Sequence, residues 1–388
     1  MSAPEARVAP PERRHPRAGP WWRRPALVAL TTYAAVRAVG LLAVWLAAHR
    51  LHRSTLGLVT KSDGLYYLEI AQHGYSGAVA TPSGTPTLGN PAFHPLFAAL
   101  ISLVYRALNI SPGVAGLLVS AVCGLAAAYA IYRVGAHVYD PRTGIVLVAL
   151  WAALPHAIVE SLVYAENLFT ALAAWALLAV LRRQWLVAGL SCLLAGLTRP
   201  SASALIVAVG IAAVVAIVRR EGRWRPLLGA ALAPLGLVAY WGWVGHRLGR
   251  VDGYFWLQQH VWGTHWDGGR YTWDWLFEVL TKETALPFVV SSVVLFAAVL
   301  AAVLLVTDRR IPWVLTVYAI TLLVVVIGTS GYYHAKARLL LPAFPLLLPA
   351  AAALARATRM HRAAVLMAAA LGSAWYGTYL LTVWRFSP

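Results

Sequence analysis

Residues 26–48 read ALVALTTYAAVRAVGLLAVWLAA, an apolar run broken by one charge, Arg37, and KSDGLYYLEIAQHGY follows it at 61–75. A stretch of about 20 apolar residues is long enough to cross a bilayer as a helix. The second stretch has the opposite character. It sets an acid (Asp63), adjacent tyrosines (Tyr66, Tyr67), a histidine (His73) and a Gly-Tyr pair into a chain that is poor in polar residues. The first stretch decides the fold class, and the second is the best place on the chain for chemistry in water.

Working outward, further apolar segments lie near 113–133, 144–160, 166–181, 185–198, 201–218, 226–246, 286–306, 312–329, 338–355 and 363–383. With 26–48 they make about eleven spans. The whole chain agrees, with 60% hydrophobic and 12% charged residues among 388. The expected fold is all-α: a polytopic membrane helical bundle, as one domain over 26–388 behind a disordered basic arm at 1–25. A net charge of +18 would suggest nucleic acid in a soluble protein. Here the arginines cluster in short runs between apolar segments, so the charge reads as topology and attraction to anionic lipid. No nucleic-acid partner is expected.

With a cytoplasmic arm and single crossings, Arg133/Arg142, Arg182-Arg183, Arg219-Arg220, Arg309-Arg310 and Arg356/Arg359/Arg362 all fall inside. The count closes only if 95–109 lies in the interface rather than crossing. The external face then holds two long loops, 49–112 and 247–285, and short turns around Glu160–Glu166, Arg199-Pro200 and Tyr332–Arg338. The run Tyr66–Gly74 reads as a short interfacial helix closed by the glycine.

On that face lie the candidate site residues. Asp63 can take a proton from an incoming hydroxyl, although Asp-Gly is also a common turn. Tyr67 and His73 lie on the helix behind it, and His94 stands between Phe93 and Pro95 at the membrane edge. Tyr164 and Glu166 join two spans with almost no loop, and an ionisable group at that depth points to a functional partner. Arg199, in a tight external turn, suits a lipid phosphate. His334, Lys336 and Arg338 make a second basic cluster. Arg37 should pair inside the bundle. The aromatic loop 247–285 reads equally as a sugar platform or an interface belt.

Some chemistry is excluded. There is no GxxxxGK[ST] phosphate loop, no DxD pair for a metal-bridged nucleotide sugar, and no Cys/His set with zinc spacing. Cys123 and Cys192 fall inside predicted spans, so no disulfide framework is available.

These motifs together resemble a family. KSDGLYYLEIAQHGY is similar to the WDG-x-WY-x-x-IA-x-x-GY signature of the PIG-V-like mannosyltransferases, which have the GT-C membrane glycosyltransferase architecture. FHPLF, SLVYAENLF, LTRPSA and ARLLLPAFPLLL resemble four further motifs of that family, in the same order. Lys61-Ser62 departs from it where a tryptophan precedes the acid, as do Leu65, His94 and Ser201. The resemblance implies a GT-C-like bundle with interfacial helices in its first external loop. It implies a polyprenyl-phosphate-sugar donor, with mannose as the sugar, and inverting transfer to a hydroxyl of a glycan or lipid-linked acceptor. Asp63 is then the base and Glu166 its catalytic companion. Tyr67, His73, His94, Tyr164, Arg199, His334, Lys336 and Arg338 are the substrate-binding set. No cofactor is required by the motifs, and a divalent cation is left open. The expected setting is the plasma membrane of a bacterium, among membrane lipids, with the site external. A transporter or flippase of a lipid-linked sugar is the alternative.

Overall fold

The computed structural model describes residues 24–76, 79–80, 86–87 and 90–388. The basic arm, except for its last residues, and parts of the first loop lie outside the described residues. The described residues form eighteen α-helices, short 3-10 turns, and one two-residue antiparallel pair, Val79–Ala80 with Pro86–Thr87.

The first span is α1 (Pro25–Arg50), and the loop after it carries α2 (Thr55–Val59), α3 (Asp63–His73) and α4 (Pro95–Leu108). Next come α5 (Pro112–Val138), α6 (Pro141–Ala152), α7 (Glu166–Leu181), α8 (Trp185–Gly196) and α9 (Ala202–Val218). A stacked pair, α10 (Arg225–Leu232) and α11 (Leu235–Leu248), leads to α12 (Gly253–Trp262) and α13 (Arg270–Thr281) in the second loop. The chain closes with α14 (Leu286–Thr307), α15 (Trp313–Gly328), α16 (Lys336–Leu339), α17 (Leu348–Arg356) and α18 (Arg359–Thr382).

Every expected apolar segment carries a helix. Among the described residues, five stretches are long and apolar enough to cross a membrane: α1, α5, the stretch spanning α10 and α11, α14 and α18, with a sixth if the bent stretch 333–356 is one span. The protein is an integral membrane protein of the all-helical, polytopic kind. Local signals set where helices begin. Ser111-Pro112 and Asp140-Pro141 each place an oxygen-bearing cap before a proline at the first helical position, and both side chains accept the expected backbone N–H. The α7 helix is buried on nearly every side and forms the axis of the bundle, whereas α14 turns Val293, Phe296, Leu300 and Val303 outward. An apolar face of that kind fits hydrocarbon as its solvent.

The two sets of connections segregate to opposite ends. On one, Tyr139 donates to Asp308 and Arg183 pairs with Glu221 at 3.3 Å. On the other, the start of α4 is tied to α8, with Leu96 N–H donating to Leu197 O at 2.9 Å. The far end of α4 returns to the same side, since a Cβ on Gly113 would stand 3.3 Å from Thr60. The helix Pro95–Leu108 therefore lies along one end of the bundle.

The break in the stretch 333–356 needs a physical explanation. Helix Tyr333–Leu339 and helix Phe344–Arg356 meet at 76°. Pro342 lacks an N–H and disfavours helix at the residue before it. Broken backbone at membrane depth is tolerated only where protein satisfies it. Here Trp151 Nε1 donates to Leu341 O and Tyr318 OH to Pro342 O, both at 3.1 Å.

Buried cations close other helix ends. Arg37 donates to the carbonyls of Ala152 and Ala157 and stands 3.7 Å from Glu160. Tyr33 packs beside this pair against Gly124, where an added Cβ would collide with the tyrosine oxygen. Removing one partner of a buried ion pair costs about 3–5 kcal/mol. Arg37→Leu should therefore lower thermal stability in detergent by that order, and adding Glu160→Leu should recover part of the loss. A double variant no more stable than the single one would show that Glu160 is not what Arg37 neutralises.

Candidate active site

The site is assembled where α3, the turn before α7, the turn after α8 and the broken span converge. The backbone delivers Asp63 through a tight turn. Ser62 adopts φ 57° and ψ −124°, and Gly64 N–H donates to Lys61 O at 3.2 Å. These angles belong to the first central position of a type II′ turn, which normally favours glycine. The turn places the Asp63 carboxylate in the first turn of α3, where the helix dipole favours a negative charge.

Arg338 is the hub. Its Nη2 lies 3.0 Å from Asp63 Oδ2, its Nε lies 3.3 Å from Glu166 Oε1, and its Nη1 donates to Ser387 Oγ at 2.9 Å. Its guanidinium also sits 5.3 Å from the centre of the Tyr164 ring. Arg199 Nη1 meets the same Glu166 oxygen at 2.5 Å. Asp63, Arg338, Glu166 and Arg199 thus form one chain of alternating charge from four separated segments. Glu166 is 2% exposed, yet neither of its oxygens receives an aligned hydrogen bond. Its contacts with the arginines are ion pairs by proximity.

The other sequence-selected residues lie at different distances from this chain. Tyr164 touches it directly, through Arg338 and Ser387. Tyr67 is buried one turn along α3 from Asp63, edge-on to Phe93 and Phe97. Burial pushes its phenol well up, with the Arg199 charge pulling the other way. His334 packs between Trp384, Phe386 and Phe288 at the rim. Lys336 points away, because its Nζ donates to the carbonyls of Val326 and Thr329 and closes the C-terminal end of α15. His73 sits at the other end of α3, 3.3 Å from Glu69, beside a groove of 430 Å³ that Pro95, Ser102 and Arg106 also line.

His94 holds the scaffold. Its Nδ1 donates to Gly196 O at 2.7 Å, and its Nε2 lies 3.3 Å from the Tyr254 hydroxyl. It therefore ties α4 and α12 to the end of α8, three residues before Arg199. The aromatic loop divides into two parts. Trp262 packs on Tyr66 and Phe93 above α3, whereas Trp266, Trp273 and Phe277 face outward.

Ser387 carries no motif in the sequence. Loop parity is the available signal, because an eleven-span reading puts 383–388 on the same side as Asp63. Among the described residues, no three His, Cys, Asp or Glu side chains gather to hold a metal ion.

No protein-family model matches the chain, and no curated protein does. Among solved structures the chain is similar to ArnT from Cupriavidus metallidurans bound to undecaprenyl phosphate. The identity is 17% and the TM-score 0.53, over 84% of this chain and 61% of that one. It is also similar to the apo oligosaccharyltransferase of Archaeoglobus fulgidus, at 16% identity and TM-score 0.50, over 93% of this chain and 56% of that one. The chain therefore spans about three fifths of the length of these neighbours. At such identity the likeness is one of fold, and the fold is the GT-C type.

Burial pushes the His94 imidazole down to about 3. A histidine held neutral in the fold titrates only in the unfolded chain near 6.5, so stability is lost as pH falls from 6.5 toward 3. His94→Asn keeps a donor for Gly196 and removes the titration. Its melting temperature should fall less steeply than the wild type's between pH 6.5 and 4. Parallel slopes would mean that His94 does not contribute to acid sensitivity.

Proposed function

We propose that the protein is a membrane glycosyltransferase of the PIG-V-like kind. It moves a sugar, mannose as the motifs suggest, from a polyprenyl phosphate to an acceptor hydroxyl, with inversion. The observation that carries this reading is the charge chain Asp63–Arg338–Glu166–Arg199, gathered at one end of a GT-C fold. The undecaprenyl phosphate held by one structural neighbour supports a donor of the same chemical class.

The residues divide the work as follows. Asp63 accepts the proton of the acceptor hydroxyl as its oxygen bonds to the anomeric carbon. The bond from that carbon to the phosphate oxygen breaks, and its electron pair leaves on the polyprenyl phosphate. Arg199 uses only Nη1 on Glu166, and its other nitrogens make no hydrogen bond to described residues. They are the donors we assign to the departing phosphate, a planar fork suited to it. Glu166 holds both arginines at the correct spacing, and Arg338 holds the Asp63 carboxylate in place. The wall of Tyr66, Trp262 and Tyr332 is suited to sugar faces. In this reading residues 26–388 act as one domain, and the site faces away from the cytoplasm of a bacterial plasma membrane.

Positioned base catalysis is worth about 10²–10⁴-fold. Asp63→Asn should lose transfer from polyprenyl-phosphate mannose by that order while still binding donor, and near-normal transfer would remove Asp63 from the role. Arg199→Lys, which keeps the charge but loses the fork, should raise the donor KM. An unchanged donor KM would place the phosphate elsewhere.

A further inference from the structure

The tail after α18 turns back into the site, although no motif announces it. Ser387 Oγ donates to Asp63 Oδ1 at 3.0 Å, accepts from Arg338 Nη1 at 2.9 Å and meets the Tyr164 hydroxyl at 3.1 Å. A serine hydroxyl offers one proton and two lone pairs, and these three contacts use all of them. The 3.0 Å spacing to a carboxylate is the one a general base takes up with the hydroxyl it activates.

The segment leading there is anchored along its length. Lys61 Nζ donates to Leu381 O and Arg53 Nη1 to Thr382 O, both at 2.9 Å, which closes the end of α18. Trp384 then packs on His334 and Phe386 at 5.2 Å between ring centres, and Pro388 is buried. Lys61 is one of the positions at which the chain departs from the family motif, and in this molecule it holds the tail.

We propose that Ser387 occupies the place of the acceptor's hydroxyl, so that Trp384–Pro388 is a built-in competitor marking the acceptor subsite. The inference rests on the glycosyltransferase reading and adds to it the acceptor's position and class. When the tail withdraws, Tyr66, Trp262, Tyr332 and His334 remain as a connected row of rings beside Asp63, with centroids 5.3 to 6.5 Å apart from one to the next. Faces of this kind fit the C–H surfaces of a sugar, so the acceptor is a carbohydrate hydroxyl. The acceptor and Ser387 cannot both hydrogen-bond Asp63 Oδ1 in the same place. Binding is therefore weakened by the fraction of time the tail is seated, and a tail seated about nine-tenths of the time raises the apparent acceptor KM about tenfold.

The test compares the full chain with Ser387→Ala and with the pair Trp384→Gly/Phe386→Gly. Each is given polyprenyl-phosphate mannose alone, and then with n-octyl mannoside as a carbohydrate acceptor. Two quantities are followed: release of polyprenyl phosphate to water without acceptor, and the KM for n-octyl mannoside. Loosening the tail should raise acceptor-free release several-fold and lower the acceptor KM by up to about tenfold, with the donor KM unmoved. Donor consumption with both quantities unchanged in both variants would overturn the tail's role and leave the transferase reading standing. No donor consumption by any form, wild type included, would overturn both together.

Discussion

The arrangement depends on one guanidinium, Arg338, placed between two carboxylates where little water reaches. Arg338 is 8% exposed, with Asp63 on one side and Glu166 on the other. A charge in such a place is tolerated only if it is paired and hydrogen-bonded, and an unpaired one costs several kcal/mol. Its Nη1 donates to Ser387, its Nη2 pairs with Asp63, and its Nε stands beside Glu166 as an ion pair without an aligned hydrogen bond, so each contact comes from a different part of the chain. The energetic demand of one buried cation thus brings together the α3 turn, the turn before α7 and the tail after α18. The proline break after α16 lets a membrane-depth segment end in this position instead of continuing as a regular helix.

The same chemistry appears twice more in the bundle with a different outcome. Arg37, as buried as Arg338, divides its contacts between the carbonyls of Ala152 and Ala157 and the Glu160 carboxylate, and Lys336 spends its protons wholly on carbonyls at the C-terminal end of α15. A cation there answers the negative end of a helix dipole and the orphan carbonyls of its last turn. A site cation, by contrast, faces carboxylates that a ligand can compete for. In sequence Lys336 and Arg338 are two residues apart and look alike. Their roles separate only because one points back along α15 and the other points across to α3 and α7.

Much of the architecture was legible because it follows from period and polarity. The apolar segments, the helix Pro95–Leu108 outside the long apolar stretches and the short helix closed by Gly74 all follow from hydropathy and proline placement. The parity reading puts Asp63, Tyr164, Glu166, Arg199 and Arg338 on one face, and the structure brings these side chains into contact. The partner of Arg37 was not legible, because Glu160 is far away in sequence and no rule pairs distant charges. Nor was the division of the basic and histidine residues into those at the charge chain and those holding the scaffold, such as His94 on Gly196. Ser387 was missed for another reason: a single serine in a short tail has no pattern, and only its three-dimensional neighbours give it meaning.

The proposal is spatial: a lipid-borne phosphate would meet the Arg199 guanidinium while its sugar faces Asp63. The most direct measurement is a structure of the full chain in lipid nanodiscs with polyprenyl-phosphate mannose bound. The account predicts the phosphate within hydrogen-bonding distance of the Arg199 guanidinium, with the anomeric carbon on the Asp63 side of Arg338. Density for the phosphate at the opposite end of the bundle, beside Tyr139 and Asp308, or along the groove by His73 with the Asp63–Arg338–Glu166–Arg199 chain untouched, would contradict it.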